Sequence, residues 1–333
     1  MKIHITNIYG QSSKSTALIA QNTVAKIAQT LAFNELSIYF YDIKVDSPRE
    51  LDKRLDGVLA GVANGDLVIF QSPTWNDMKY DEEFVKKLKA YKNVKIAFFI
   101  HDVLPLMFLS NRYLFKRVIN FYNQADVLIV PSNSMLKLLR KQGLKVKKIV
   151  IQEMWDCLTD LDLPVPKQND YLNFIGDPQK FSFANKWDYE IPLHLYSTNA
   201  PAEKEKVEFQ GWQSPANLLL NLAEGGWGLV WSDNPEVEEY MKVCLSYKLS
   251  TYLAAGIPVV VKKGISNQKI IEDNKLGLVV NDLNEAVIKV KSLSSKDYQE
   301  YIEHTIHFAE LLRNGFFTKK LLIETVHCLL RKD

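Results

Sequence analysis

The segment YKLSTYLAAGIPVVV (residues 247–261) carries the groups best suited to binding a diphosphate. It predicts a helix that ends at Gly256 and passes, through a proline, into a buried strand. The first turn of such a helix offers free N–H groups, and the hydroxyls of Ser250 and Thr251 and the ammonium of Lys248 stand beside them. The alternative is an ordinary helix–strand unit with incidental hydroxyls.

A candidate proton acceptor lies in FFIHDVLPL (residues 98–106), directly after an apolar strand. A base at such a strand end could take a proton from a substrate hydroxyl. Asp102 is the first candidate for this base and His101 the second. The alternative is that Asp102 caps the turn after the strand and that His101 is a packed polar residue.

A second strand end, SPTWND (residues 72–77), carries groups that could contact a sugar ring. Trp75 offers a flat apolar face for a sugar ring, and Asn76 and Asp77 offer polar contacts to hydroxyls. The candidate binding residues of this loop are Thr74, Trp75 and Asp77. A proline-stiffened loop with Trp75 in the core is the alternative. The first loop, YGQSSKST (residues 9–16), has hydroxyl and amide groups but lacks GxGxxG, so a dinucleotide fold is not indicated.

Composition excludes several classes of protein. The 333 residues are 47% hydrophobic and 24% charged, as in a globular protein, and 41 basic and 39 acidic residues leave a net charge of only +2. Because these charges are well mixed, no nucleic-acid partner is expected. No apolar run reaches the roughly 20 residues that span a bilayer. Three cysteines without a CxxC pair predict neither disulfides nor a zinc site, and they favour a cytoplasmic location.

Short apolar runs alternate with amphipathic stretches, the pattern of parallel sheets covered on both faces. The alternation stops in CLTDLDLPVPKQND and then resumes, which predicts two Rossmann-like, doubly wound α/β domains facing across a cleft. The predicted parts are an N-terminal domain (1–156), a linker (157–170), a second domain that carries the predicted diphosphate site (171–315) and a C-terminal helix (316–333) that packs back on the N-terminal domain.

Several stretches carry a resemblance to a known family. The segment YKLSTYLAAGIPVVV and the following KGISNQKIIEDNKLGLVV resemble the nucleotide-binding region of GT-B glycosyltransferases. The opening ITNIYGQSSKSTALIAQN, the middle FFIHDVLPLMF and the segment EGGWGLVW extend the resemblance over nearly the whole chain. More closely, the chain looks like the bacterial glucosyltransferases that extend the glycan of serine-rich repeat adhesins.

The resemblance implies a set of donor-binding residues. The residues expected to contact the nucleotide sugar are Thr16, Lys180, Phe181, Gly211, Trp212, Lys248, Leu249, Ser250, Thr251 and Tyr252. Many retaining GT-B enzymes carry a glutamate shortly before the AxAxGxPV stretch, and here Lys248 and its neighbours stand there instead. This departure fits the adhesin-type group.

The resemblance also implies a reaction, in which glucose passes from UDP-glucose to N-acetylglucosamine on adhesin serines and threonines. No cofactor or metal is expected, because no DxD lies between apolar strands and Asp160-Leu161-Asp162 lies in the linker. A homo-oligomer, a tetramer or a dimer, is implied as well. Two alternatives stay open: a different donor such as UDP-galactofuranose, and a non-catalytic partner subunit.

Overall fold

The computed structural model describes residues 1–202 and 205–331, which form two compact units. The first unit comprises Met1–Glu153 together with the chain from Phe317 onward, and the second comprises Met154–Phe316. The chain therefore leaves the first unit a few residues before the predicted linker and returns to it for the last helix. The alternation of strands and helices that the sequence predicts is confirmed in both units.

The described residues of the first unit build a six-stranded parallel sheet in the order β2-β1-β3-β4-β5-β6. Its strands are β1 (Ile3–Tyr9), β2 (Asn34–Tyr39), β3 (Leu67–Ser72), β4 (Lys95–Ile100), β5 (Val127–Val130) and β6 (Lys148–Ile151). Its helices are α1 (Thr16–Thr30), α2 (Pro48–Val58), α3 (Met78–Leu88), α4 (Leu104–Met107), α5 (Phe115–Tyr122) and α6 (Asn133–Lys141), with α13 (Phe316–Leu330) returning at the end.

Local sequence explains where these helices begin. Ser15 and Ser132 cap α1 and α6, each accepting a hydrogen bond from a main-chain N–H of the first turn. At α2, Ser47 and Glu50 form a reciprocal capping box, and Pro48 takes the first position, where its missing N–H costs nothing. The residues at the start of α1, α2 and α6 therefore fix where these helices begin.

The described residues of the second unit build another six-stranded parallel sheet, in the order β12-β11-β10-β7-β8-β9. Its strands are β7 (Lys167–Ile175), β8 (Leu193–Tyr196), β9 (Val207–Phe209), β10 (Gly225–Val230), β11 (Val259–Lys262) and β12 (Gly277–Val280). Its helices are α7 (Pro215–Leu222), α8 (Pro235–Met241), α9 (Tyr247–Ala255), α10 (Gln268–Asp273), α11 (Leu283–Ser292) and α12 (Ser295–Arg313).

Strand β7 begins inside the predicted linker because its first residues have a partner that the local sequence does not show. Lys167 pairs with Gly225 at the start of β10, and a side chain at Gly225 would collide with the Lys167 carbonyl. The irregular part of the predicted linker therefore ends at Pro166.

Two properties of the fold bear on function. In each unit all strands are parallel, so their carboxyl ends share one edge, which is where open α/β sheets bind ligands. Within residues 1–202 and 205–331, the structure contains no helix with the length and apolar character needed to cross a bilayer.

Candidate active site

Helix α9 brings the strongest candidate group of the second unit to the carboxyl edge of its sheet. The Lys248 side chain is half-buried, and its ammonium lies 4.8 Å from the centre of the Phe174 ring and 3.8 Å from that of Phe181. Burial and, secondarily, the positive charge of Lys180 lower the pKa of Lys248 to about 7. Phenyl rings attract a cation without neutralising it, so this ammonium keeps its capacity to bind an anion.

The other predicted residues of α9 divide into two groups. The Ser250 side chain is buried, and its hydroxyl has no hydrogen-bond partner in the part of the chain that the structure describes. The Thr251 hydroxyl instead donates to the carbonyl of Tyr247 (3.1 Å), one turn earlier. Leu249 and Tyr252 are core residues, and the Tyr252 hydroxyl accepts a hydrogen bond from a β7 main-chain N–H. Ser250 therefore joins Lys248 as a side chain with unused binding capacity.

The loop after β7 holds Phe181 and Lys180 beside α9. The carbonyl of Asp177 accepts hydrogen bonds from the main-chain N–H groups of Lys180 (3.0 Å) and Phe181 (2.9 Å), which curls the loop into a turn. The Lys180 ammonium lies 5.6 Å from the centre of the Phe181 ring. Gly176 is required here, because a Cβ would lie 2.7 Å from the Phe174 ring. The structure thus brings Lys180, Phe181 and Lys248 together.

Gly211 and Trp212 follow β9 at the same edge of the second sheet. Gly211 has a φ of +68°, and its carbonyl accepts a hydrogen bond from the main-chain N–H of Ser197 (3.2 Å). Trp212 is exposed. The left-handed turn at Gly211 therefore leads directly into a partly exposed aromatic residue.

In the first unit, Thr16 is the first residue of α1 and is exposed, immediately after the cap at Ser15. The preceding loop turns at Gly10, whose φ is +82° and whose position lies against the Tyr39 ring. A Cβ on Gly10 would lie 2.6 Å from that ring. The loop can therefore approach β2 only with glycine at this position.

His101 and Asp102 follow β4 and have different surroundings. His101 is buried, its Nε2 lies 2.8 Å from Oε1 of Gln71, and burial lowers the pKa of His101 to about 3. Asp102 is half-buried. Burial raises the pKa of Tyr122, and the negative charges of Asp81 and Asp102 raise it further, which places the Asp102 carboxyl near the Tyr122 hydroxyl.

The predicted acceptor loop contains one residue that is engaged in the core. The Thr74 hydroxyl donates to Oδ1 of Asp81 (2.5 Å), and both side chains are buried. Burial raises the pKa of Asp81 to about 7, although the hydrogen bonds from Thr74 oppose this change. Trp75 has a φ of +66°, a strained conformation for a non-glycine residue. Asp77 is exposed and caps α3 through the N–H of Lys79 (2.8 Å).

Three residues that the sequence reasoning missed emerge from the structure: Gln71, Asp81 and Phe174. Gln71 and Phe174 contact predicted residues from elements distant in sequence, so spacing alone gives no sign of those contacts. Asp81 accepts a hydrogen bond from Thr74, seven residues earlier. A polar residue inside an otherwise apolar strand, such as Gln71 in LVIFQS, was the available signal.

Metal binding has no support from clustered side chains in this structure. Across residues 1–202 and 205–331, no group of three or more histidine, cysteine, aspartate or glutamate side chains is placed to hold an ion. The independence from metal that the sequence predicts therefore stays a prediction.

Comparison with solved structures defines the class of protein. HepE from Anabaena, solved with UDP and with UDP-glucose, superimposes with TM-scores of 0.70 and 0.69 at 12% identity, covering 99% of this chain and 100% of that one. Together with the two parallel sheets, this match shows that the protein has the GT-B glycosyltransferase fold.

Sequence comparison then defines the family. The models described as Glucosyltransferase 3-like, N-terminal and C-terminal domain, match residues 2–154 and 172–325. Glucosyltransferase 3 of Streptococcus parasanguinis is 46% identical and that of Streptococcus gordonii 49% identical, each over 98% of both chains. The chain belongs to the Glucosyltransferase 3-like family and is a glycosyltransferase.

Proposed function

We propose that the protein transfers glucose from UDP-glucose to N-acetylglucosamine already attached to serines and threonines of a serine-rich repeat adhesin. Membership of the Glucosyltransferase 3-like family supports glucose as the transferred sugar. The observation that carries the proposal is the Lys248 ammonium, held by two phenyl rings at the start of α9 with Lys180 nearby. Such a pair of cations suits the diphosphate of a nucleotide sugar.

Donor binding follows from the electrostatics of this group. The first-turn N–H groups of α9 and the Lys248 ammonium would neutralise the diphosphate, and Ser250 would supply a hydroxyl. Lys180 adds a second positive charge beside Phe181. The same groups would stabilise the charge that develops on UDP as it leaves, so the leaving group needs no acid.

Acceptor activation requires a base when transfer inverts the sugar carbon. Asp102 is the candidate for this role, because a carboxylate at a strand end can accept the proton of an acceptor hydroxyl. His101 is the second candidate. Trp75 and Asp77 would contact the N-acetylglucosamine ring, Trp75 through its face and Asp77 through its carboxylate.

A thermal-shift screen across UDP sugars tests the donor. A ligand present at 100 times its Kd stabilises the native state by about 2.7 kcal/mol, so the true donor should give a clear rise in Tm. We expect UDP-glucose to give the largest rise among UDP-glucose, UDP-galactose, UDP-galactofuranose and UDP-N-acetylglucosamine. A larger rise with UDP-galactofuranose would identify the alternative donor.

A transfer assay tests the acceptor. A serine-rich peptide bearing N-acetylglucosamine should gain one hexose by mass spectrometry, and the same peptide without the sugar should gain none. Slow release of UDP from UDP-glucose without acceptor would separate an enzyme from a non-catalytic partner subunit. Hexose gain on the unmodified peptide would contradict the proposed acceptor.

The proposed assembly is a homo-oligomer, a tetramer or a dimer, acting in the cytoplasm. Light scattering coupled to gel filtration tests the assembly directly. A mass equal to one chain, 38.3 kDa, over the working range of concentrations would contradict it.

A further inference from the structure

A groove of about 670 Å³ lies between α3 and α5 on the surface of the first unit. Its volume is within the range of roughly 300–1,000 Å³ that is usual for ligand sites. Phe121 lines it from the core, where its ring stacks on that of Phe98 (4.7 Å between centres). Polar residues recur at helical spacing along both walls: Glu82, Lys86 and Lys89 on the α3 side, and Lys116, Asn120 and Gln124 on the α5 side.

The α3–α5 groove carries more positive charge than its own carboxylates neutralise. Arg117 forms a bidentate pair with Glu82, in which Nε and Nη2 each lie 2.7 Å from a carboxylate oxygen. Lys86 pairs with Glu83 (2.9 Å). These pairs use the two carboxylates that line the groove, and two lysines of its lining are left over.

The two remaining cations are Lys116 and Lys89. In residues 1–202 and 205–331, no carboxylate forms an ion pair with either of them. The Lys89 ammonium donates to the amide oxygen of Gln124 (3.3 Å), and burial lowers the pKa of Lys89 although the charge of Asp126 opposes this. Lys116 lies in the first turn of α5, where the helix dipole disfavours a positive charge. Both lysines would therefore be stabilised by an anionic ligand.

Lys116 and Lys89 lie at opposite ends of the groove. Gln124, the partner of Lys89, follows Lys116 by eight residues, which is about 12 Å along a helix axis. One phosphate or carboxylate group cannot contact both ends. An extended polypeptide advances about 3.3 Å per residue, so two acidic side chains four residues apart span this distance and point to the same side of the chain. The spacing favours an extended acidic peptide over a single anion.

One end of the groove adjoins the loop that carries the candidate sugar contacts. Asp77 of that loop caps α3. The pKa of Arg117 is raised chiefly by its hydrogen bonds to Glu82, and the charge of Asp77 raises it as well, which places Asp77 near this end of the groove. Tyr113 is 78% exposed and lines the groove just before α5. A chain in the groove would therefore continue from a sugar-bearing residue at this loop.

We infer that the α3–α5 groove binds the polypeptide of the acceptor, as an extended segment with two acidic side chains four residues apart, one contacting Lys116 and the other Lys89. The inference rests on the proposed function in one respect, that the acceptor is a glycosylated polypeptide. The amides of Asn120 and Gln124 offer donors and acceptors to the peptide main chain. The groove thereby selects among glycosylated serines by the charge of their neighbours.

Binding of labelled peptides to the whole chain tests the inference without any sugar transfer. The probe is a serine-rich peptide bearing N-acetylglucosamine and two glutamates four residues apart, and fluorescence anisotropy measures its Kd. Two versions place the glutamates before and after the sugar-bearing serine, and the tighter one is used.

We expect the glutamate peptide to bind about fivefold more tightly at low ionic strength than the same peptide with glutamines. Exposed ion pairs contribute modestly and are screened by salt, so this difference should shrink as salt is added. Two adjacent glutamates should give a smaller gain, because only one can reach a lysine. Equal affinity for the glutamate and glutamine peptides, or for the two glutamate spacings, would overturn the inference.

Charge reversal at Lys116 tests one end of the groove. Lys116→Glu should weaken binding of the glutamate peptide about tenfold, and it should bind a peptide with lysines in place of the glutamates more tightly than the wild type does. Lys137→Glu is the matched control, because Lys137 is exposed on α6, outside the groove, and the net charge changes equally. Tm values check that both variants fold. Equal weakening by the two substitutions would overturn the inference.

Neutralisation of Lys89 tests the other end. Lys89→Gln should bind the two glutamate spacings equally, because only Lys116 then contacts an acidic side chain. A spacing preference that persists in Lys89→Gln would overturn the two-point contact.

Failure of this inference and failure of the proposed function give different results. If the sugar-bearing peptide gains no hexose but its binding depends on Lys116, the groove is a peptide site and the proposed reaction is wrong. If the peptide gains hexose but its binding does not depend on Lys116, the proposed reaction stands and the role of the groove is overturned.

Discussion

Lys180 and Lys248 share one phenyl ring: their ammonium groups lie 5.6 and 3.8 Å from the centre of Phe181. Like charges brought to the same ring repel one another, and the charge of Lys180 is one cause of the lowered pKa of Lys248. An anion bound between them would relieve this repulsion. Two cations beside one ring therefore favour an anionic ligand at this edge of the second sheet.

Replacing Lys248 should weaken binding of UDP without disturbing the fold. A hydrogen bond to a charged group contributes roughly 1.5–3 kcal/mol, so Lys248→Ala should lower the affinity for UDP about tenfold or more. Calorimetry measures the affinity, and circular dichroism checks the fold. Lys275→Ala is the matched control, because Lys275 pairs with Glu300 at the surface. Unchanged affinity in Lys248→Ala would remove this residue from the donor site.

The affinity for UDP-glucose should fall as the pH rises. The pKa of Lys248 is lowered to about 7, so its ammonium loses a proton over a range in which an ordinary lysine stays charged. The ligand to use is UDP-glucose, because UDP has a terminal phosphate that titrates near pH 6, roughly as other phosphate monoesters do. Lys248→Ala should show a flat dependence. A flat dependence in the wild type would contradict the lowered pKa.

Asp81→Asn should stabilise the protein at alkaline pH. The pKa of Asp81 is raised to about 7 in the folded state, so folding keeps a proton that the unfolded chain releases at lower pH. The stability contributed by this proton is present below the unfolded pKa and is lost as the pH rises through 7. Relative to the Asp81→Asn variant, the free energy of unfolding of the wild type should fall by roughly 2–3 kcal/mol between about pH 5 and about pH 8.

Denaturant unfolding at the two pH values measures this difference for Asp81→Asn. Asp77→Asn, at an exposed helix cap four residues earlier in the same segment, serves as the control and should keep the pH dependence of the wild type, because it retains Asp81. Equal pH dependence in the wild type and Asp81→Asn would show that Asp81 is charged in the folded protein.

The Asp102→Asn substitution distinguishes a catalytic role of Asp102 from a role in packing. The amide keeps the size of the side chain but cannot accept a proton, so turnover should fall by about 10²–10⁴-fold if Asp102 is the base. Binding of UDP and the Tm should change little. The assay uses UDP-glucose and a peptide bearing N-acetylglucosamine. Near-normal turnover would leave His101 as the remaining candidate in this loop.

Activity should survive removal of divalent metal ions. The diphosphate is neutralised in our proposal by Lys248, Lys180 and helix N–H groups, so no ion is needed to bridge the phosphates. The measurement is turnover after dialysis against EDTA, with and without added magnesium or manganese. Loss on chelation that either ion restores would disprove this account of donor binding.

The fold was predictable from the sequence because its signals are local. The run FFI before His101 has the apolar pattern of a buried strand, and the stretch ending at Gly256 has the stop signal of a helix. Both elements occur as predicted. The start of β7 was not predictable, because Lys167 forms a strand only by pairing with Gly225, far along the chain.

The candidate site was predictable only in part. Lys248 and Ser250 could be selected because a helix start beside a sheet edge is a known anion site. The direction of each side chain was harder to predict. The apolar neighbours of Tyr252 at helical spacing place it on the core face, and the Thr251 hydroxyl bonds its own helix. The contact of Gln71 with Thr6 depends on a neighbouring strand, and the contact of Asp81 with Thr74 depends on how the loop before α3 folds; no apolar pattern encodes either.

The return of α13 to the first unit has a consequence for synthesis of the chain. The helix buries Leu321, Leu322 and Leu329, Lys320 pairs with Glu153 (3.0 Å), and the carbonyl of Arg331 accepts a hydrogen bond from Lys148 (2.7 Å). The first unit is thus discontinuous in sequence and cannot be completed while the ribosome is still translating the second. Until residues 317–330 emerge, the nascent first unit exposes the apolar surface that α13 covers, a natural point for chaperone binding.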